Sequence, residues 1–219
     1  MTCSKCAGVG DQFDDRVARR QLRRYQRKGP TKTTKMLLDA LGRVQVAGAS
    51  FIDVGGGVGA IQHELMSGGA ASGTSVDAAP AYLATAKSEA ERRGYADRMQ
   101  YLEGDFVEAQ GDVIAADLVT LDRVVCCYPD MPALVDASAS RARRAYGLVY
   151  PRENILSKLA IRLVNFVQWV RRNPFRAFIH PTAAVEARVA THGFTKTYHA
   201  NWTMWQVILF TRNETRAED

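Results

Sequence analysis

The sequence predicts an α/β protein built on a buried, mostly parallel sheet. Short apolar runs alternate with helical periods from about residue 50 to residue 150. A glycine-rich turn, Gly55-Gly56-Gly57-Val58-Gly59, follows the first of those runs. The last two β-rich runs have no helix between them. Alternation at this spacing needs β/α/β crossovers, which make the strands parallel and cover both faces with helices. Two strands joined by a short turn close as an antiparallel pair.

The elements follow in chain order. Asp14–Lys28 reads as a helix with acids first and bases last, as the helix dipole favours, and Gly29-Pro30 stops it. Thr31–Leu41 is a second helix with Met36, Leu37, Ala40 and Leu41 inward. Ser50–Val54 is the first strand, and the helical AIQHELMSGG follows its glycine turn. Residues 72–77 form the second strand, ending on Asp77. Pro80–Arg93 is a helix with proline at its start and Gly94 after it. Met99–Leu102 is a third strand and Asp117–Val125 a fourth. Met131–Ala142 reads as helix and Tyr146–Tyr150 as the fifth strand. Ile155–Arg172 is helical, with Lys158, Arg162, Asn165, Gln168 and Arg172 on one stripe and an unusually wide apolar face around it. A further helix runs from His180-Pro181-Thr182 to Ala190, and Thr195–Asn201 and Thr203–Thr211 form the closing pair.

The 219 residues fit one domain, and 47% hydrophobic with 24% charged residues is an ordinary globular balance. That excludes a disordered tail and a disulfide-stapled miniprotein. No apolar run reaches the ~18 residues of a membrane span. Residues 1–12 lack an apolar signal core, and four cysteines in that context read as reduced thiols, so the expected location is cytoplasmic.

The net charge of +6 is unevenly laid out. Residues 1–35 carry ten bases against three acids, and residues 141–176 nine against one. Residues 36–140 carry fifteen acids against six bases. An acidic middle thus lies between two basic segments.

The glycine turn carries the strongest chemical signal. Glycines at a strand-to-helix turn let the backbone approach a ligand, and the helix N-terminus faces it. A dinucleotide turn has an apolar residue two positions before its first glycine. Here that position is Asp53, which suits a cationic ligand and repels a pyrophosphate.

At this turn the chain resembles the class I S-adenosylmethionine-dependent methyltransferases, over about residues 36–215. Asp53-Val-Gly55-Gly-Gly57-Val-Gly59 matches the family's acid-x-G-x-G-x-G motif. The resemblance implies a Rossmann-like fold with a seven-stranded, mostly parallel sheet, an antiparallel terminal hairpin and S-adenosyl-L-methionine as cofactor. It implies that Asp53, Gly55, Gly57 and Gly59 hold the methionine part. Asp77 matches the acid that holds the ribose hydroxyls. Asp105 and Phe106, after strand three, match the adenine position, and Asp122 lies near the transferred methyl. The bland readings are a helix cap for Asp77, a loop residue for Asp105 and a strand-end acid paired with Arg123 for Asp122. The chain divides into a helical arm or lid at 1–42 and a methyltransferase domain at 43–219, with a cap insertion at about 152–180.

In detail the chain is distantly similar to the magnesium-protoporphyrin O-methyltransferases. Tyr25 in RRYQRKG, Cys127-Tyr128-Pro129 after strand four, and Ile179-His180 with Val185-Glu186 match positions of that family. Its active-site His is Cys127 here, which puts the tetrapyrrole substrate in doubt and leaves methylation untouched. Tyr25, Cys127, Tyr128 and His180 are therefore the acceptor-side candidates; capping is the plainer reading of His180. His63 reads as structural, His192 as a helix C-terminal residue and His199 as a strand residue.

The two basic segments lie over the ligand edge in this fold and suit a large, apolar, anionic small-molecule acceptor. Four other readings stay open. The apolar face of Ile155–Val170 packs as core. The same helix lies on a membrane surface. Cys3, Cys6, Cys126 and Cys127 gather a metal or metalloid, as the acceptor or in a non-catalytic sensor. The cluster Arg19, Arg20, Arg23, Arg24 and Arg27 binds RNA, though no aromatic-rich binding module accompanies it.

Overall fold

A computed structural model describes residues 8–212. Its seven strands are β1 (Ser50–Val54), β2 (Ser72–Asp77), β3 (Met99–Glu103), β4 (Ala116–Asp122), β5 (Ala142–Pro151), β6 (Phe194–Trp202) and β7 (Trp205–Arg212). They form one sheet in the order β3-β2-β1-β4-β5-β7-β6. Strands β1 to β5 run parallel, and β7 runs antiparallel to both β5 and β6. The helices are α1 (Val9–Gln12), α2 (Asp15–Lys28), α3 (Lys32–Leu41), α4 (Ala60–Ser67), α5 (Pro80–Arg92), α6 (Phe106–Ala109), α7 (Met131–Ala139), α8 (Ile155–Val170) and α9 (Thr182–Ala190). Chain order reverses between β1 and β4, and the carboxyl ends of strands at such a reversal form a ligand crevice.

Strand alternation builds a core on each side of the sheet. Ile52, Val119, Leu121, Tyr146, Leu148, Ile208 and Phe210 pack on one face with Leu134 of α7 and Val185 of α9. Phe51, Leu118, Ala145, Val149, Val207 and Leu209 pack on the other with Leu37 of α3 and Ile61 of α4. Neighbours along each strand go to opposite faces, so strands buried on both sides read as continuous apolar runs. Gly147 allows α3 to lie close: a Cβ there would meet Leu37 Cδ1 at 2.7 Å.

Several element boundaries differ from the sequence expectation, β5 among them since it starts at Ala142, and one open reading of α8 is settled. The fourth strand stops at Asp122, because Arg123 takes φ +65° and a short 3₁₀ turn, Val125–Cys127, follows. Helix α7 stops at Ala139, since the Ser138 and Ser140 hydroxyls donate to helix carbonyls and Ala142 pairs with Ala116 of β4. Thr203, at φ +50°, belongs to the hairpin turn and β7 starts at Trp205. The apolar face of α8 is not core: Leu163, Phe166 and Trp169 are 63%, 58% and 67% exposed.

Candidate active site

Strand β1 delivers Asp53 and Val54 to the glycine turn. Gly55, Gly57 and Gly59 all have positive φ, at +62°, +57° and +81°. Gly59 is the N-cap of α4, so the turn ends as the helix begins. Space as well as dihedral requires glycine. A Cβ at Gly55 would meet Val124 Cγ2 at 2.4 Å, and one at Gly56 would meet Asp53 Oδ2 at 2.8 Å. The turn is tied to β2 through Asp77. Gly57 N donates to Asp77 Oδ2 at 2.9 Å and Ala79 N donates to Asp77 Oδ1 at 2.8 Å. Asp77 is therefore not the N-cap of α5; Ala79 holds that place. Burial raises the Asp77 carboxyl to about 6.

Asp53 is fully enclosed. Thr120 Oγ1 donates to its Oδ1 at 2.8 Å, while Oδ2 has no partner. Burial, then the nearby Asp122 and Asp77 charges, raise its carboxyl to about 7, with the Thr120 bond opposing. Asp122, at the end of β4, accepts from Thr34 Oγ1 at 2.5 Å, and its Oδ1 lies 3.8 Å from Arg123 Nε. Burial raises the Asp122 carboxyl too. Three carboxylates around one cavity, two of them (Asp53 and Asp122) with a buried oxygen that accepts no hydrogen bond, form a donor set for a cation with hydrogen-bonding groups. The sulfonium, ammonium and ribose diol of S-adenosylmethionine fit that set.

Asp105 caps α6, accepting from Val107 N at 2.9 Å, and its Oδ2 accepts from Tyr128 Oη at 2.7 Å. Phe106 is buried beside it. His180 lies behind this pair. Its Nε2 meets the Tyr128 carbonyl at 3.0 Å, and burial lowers its pKa. It caps no helix, since Pro181 is the N-cap of α9. Tyr25 reaches the cavity from α2. Its hydroxyl donates to Glu64 Oε1 at 2.7 Å, its ring stacks on His63 at 5.6 Å, and Arg93 covers the ring at 5.3 Å. Burial and the Glu64 contact raise the Tyr25 pKa. His63 is structural as expected, held by Tyr95 Oη and the Val58 carbonyl.

The strand break at Arg123 gathers the two described cysteines. Cys126 and Cys127 Sγ are 3.8 Å apart, and the Cys127 contact, then burial, raise the Cys126 thiol. Cys3 and Cys6 lie outside the described residues. Among the described residues no group of three His, Cys, Asp or Glu could hold a metal ion.

One cavity of about 690 Å³ joins these parts. Of the marked residues that are described, all but Gly59 and His180 line it. It also takes in residues that the sequence reading did not single out for this role. Arg24 comes from α2, Ile161 and Val164 from α8, and Trp205 from β7. Arg123 is the most constrained. Its Nη2 donates to Thr31 and Thr33 hydroxyls at 2.9 Å each, and its guanidinium lies 4.8 Å from the Trp205 ring centre. Strand alternation alone turns Arg123 away from Asp122; only the left-handed backbone brings it back.

A family model described as ribosomal protein L11 methyltransferase (PrmA) matches residues 28–140, about half of the chain. A search of the curated proteins finds no significant match. Among solved structures, the magnesium protoporphyrin IX methyltransferase ChlM from Synechocystis PCC 6803 with bound SAH superposes with a TM-score of 0.71 at 17% identity. That match covers 94% of this chain and 98% of the other. An O-methyltransferase family protein from Burkholderia thailandensis gives 0.67 at 16% identity, over 92% of this chain and 61% of the other. These likenesses concern the fold, whereas the family match runs from the end of α2 through the glycine turn to α7. The chain belongs to the PrmA methyltransferase family and is a class I S-adenosylmethionine-dependent methyltransferase.

Proposed function

We propose that the enzyme methylates a carboxylate oxygen on a large, apolar, anionic small molecule of tetrapyrrole-like character. The observation that carries this reading is a pair of cations, Arg24 and Arg123, in a cavity that, apart from the acids assigned to the cofactor, is walled largely by side chains such as Phe13, Tyr82, Ile161, Phe175 and Trp205. An apolar wall with a few placed charges selects a greasy body and orients its polar end. The family match ends at residue 140, before α8, so the acceptor named in the family description is not inherited with it.

S-adenosylmethionine, when bound, supplies a methyl group on a sulfonium centre. The chain's residues then have to hold, orient and exclude water. In this reading Asp53 and the glycine turn hold the methionine part, Asp77 the ribose, and Asp105 with Phe106 the adenine. Asp122 borders the methyl. Tyr128 orients Asp105, and His180 fixes the Tyr128 backbone from behind. Tyr25 clamps the arm over the cavity through Glu64, and Cys127 faces the acceptor. A carboxylate is already a nucleophile at neutral pH, so no strong base is required of these groups. Residues 1–42 and about 152–180 act as the lid.

The test is S-adenosylhomocysteine release across carboxylated porphyrins, phenols, thiols and ribosomal protein L11. The expected result is turnover of a carboxylated porphyrin, with Arg123→Ala raising KM by about 10- to 100-fold, the worth of a charge-assisted hydrogen bond. Turnover of thiols or the ribosomal protein alone, or an unchanged KM in Arg123→Ala, overturns the reading.

A further inference from the structure

Helix α8 is mounted with its uncharged polar residues, Ser157, Asn165 and Gln168, inward. Ser157 Oγ donates to the Met204 carbonyl at 3.0 Å. Asn165 holds both sides of Ala177, accepting from its N–H at 2.8 Å and donating to its carbonyl at 2.9 Å. Gln168 Nε2 donates to Gln12 Oε1 at 2.5 Å. These bonds fix the rotation of the helix about its axis. The opposite face then carries Leu159, Leu163, Phe166, Trp169 and Val170, each more than half exposed. A contiguous apolar face on a soluble domain is a contact surface for something else.

Charge selects the occupant. Lys158, Arg162, Arg171 and Arg172 are exposed on and just after α8, and no acid occurs from residue 154 to residue 185. A second copy placed α8 to α8 would bring these cations together. An anionic surface with an apolar layer beneath it complements both features. An aromatic pair, Phe166 and Trp169, sits on the exposed side with ring centres 6.0 Å apart. Side chains of that kind favour a membrane interface. No helix among the described residues is long and apolar enough to cross a membrane. On its inner edge the same helix lends Ala160, Ile161 and Val164 to the cavity.

We propose that α8 is a membrane-surface anchor. It lies in the headgroup layer of an anionic bilayer, with Leu163, Phe166 and Trp169 among the acyl chains and Lys158, Arg162, Arg171 and Arg172 at the phosphates. The mouth of the cavity then opens beside the lipid, where an apolar acceptor collects. The anchor rests on α8 alone and stands whether or not the acceptor is a carboxylate.

The full chain is sedimented with phosphatidylglycerol/phosphatidylcholine vesicles and with phosphatidylcholine vesicles at low and high salt. The expected result is binding to the anionic vesicles that weakens with salt. In Leu163→Ser/Phe166→Ser it should fall by about tenfold or more. S-adenosylmethionine affinity by calorimetry should stay unchanged, which shows that the variant is folded. Lipids brominated in their acyl chains should quench the tryptophan fluorescence, and Trp169→Phe should remove that quenching. No binding to anionic vesicles, or equal binding by the double variant, overturns the proposal. So does a concentration-dependent dimer that the double variant abolishes, which would assign the face to a second copy.

Discussion

At Asp53 the strand wall encloses a carboxylate with one oxygen on Thr120 and the other unpartnered. Its pKa is raised from 3.8 to about 7. The folded protein therefore holds a proton that the unfolded chain releases, and stability falls as pH rises across that window. Thermal melts of the cofactor-free enzyme should show that loss, and Asp53→Asn should reduce it, with the raised Asp77 carboxyl supplying part of the remainder. A bound cation favours the ionised carboxylates, so binding near pH 6 should release protons from Asp53 and Asp77. Calorimetry in buffers of different ionisation enthalpy measures that release, and Asp53→Asn should reduce it to the part that Asp77 supplies. Asp77→Ala should remove cofactor binding while far-ultraviolet circular dichroism stays native; unchanged affinity would overturn the ribose assignment. Gly55→Ala combines a positive φ with a clash against Val124 and should cost about 1–3 kcal/mol in urea unfolding.

Among the elements, the α2–α5 contact shows how the arm is held. Glu89 of α5 accepts from Arg92, Arg93 and, across the interface, Gln26 of α2. The Arg92 bond lowers its carboxyl most, with Arg93 and Gln26 adding and burial opposing, to about 2. Its contribution is present above the ordinary value of 4.5 and is lost as pH falls towards about 2. Glu89→Gln should cost about 2 kcal/mol in denaturant unfolding and remove that acid sensitivity. These side chains were anonymous in the sequence, because a charged helix face gives no sign of its partner. Strands β1, β2 and β3 were legible because an apolar run between turn signals leaves few other options. The end of β4 was not, because an Arg in a left-handed conformation has no sequence signature. Helix α8 was legible as a helix and opaque in orientation: its wide apolar face read as a lid over the acceptor, as core or as a membrane surface, and three polar side chains with tertiary partners decided which way it points.

For the whole molecule, the sheet gives the site its rigidity and the two basic segments add Arg24, Tyr25, Ile161 and Val164 to its wall. A ligand that binds only the folded state stabilises it by about 2.7 kcal/mol at a hundredfold excess over Kd. For a chain of this size that is a rise in Tm of roughly 5–10 °C. S-adenosylmethionine should produce that rise, and Asp77→Ala should cancel it. The charge layout belongs to this scale as well. The arginine cluster of the arm offered an RNA reading, but Arg24 of that cluster enters the cavity, and Lys158, Arg162, Arg171 and Arg172 on and just after α8 border an exposed apolar face.

The sequence by itself determined the α/β alternation, the glycine turn with its acid, and the acids at the ends of the second and third strands. These are local matters, since period, turn chemistry and residue type along one stretch of chain specify them. Only the tertiary structure decided that Arg123 turns back beside Asp122, that His180 braces Tyr128 outside the cavity, and that α8 faces outward. Each of those depends on a partner far away in the chain, and a hydrogen bond between distant residues leaves no periodic trace in the sequence that makes it.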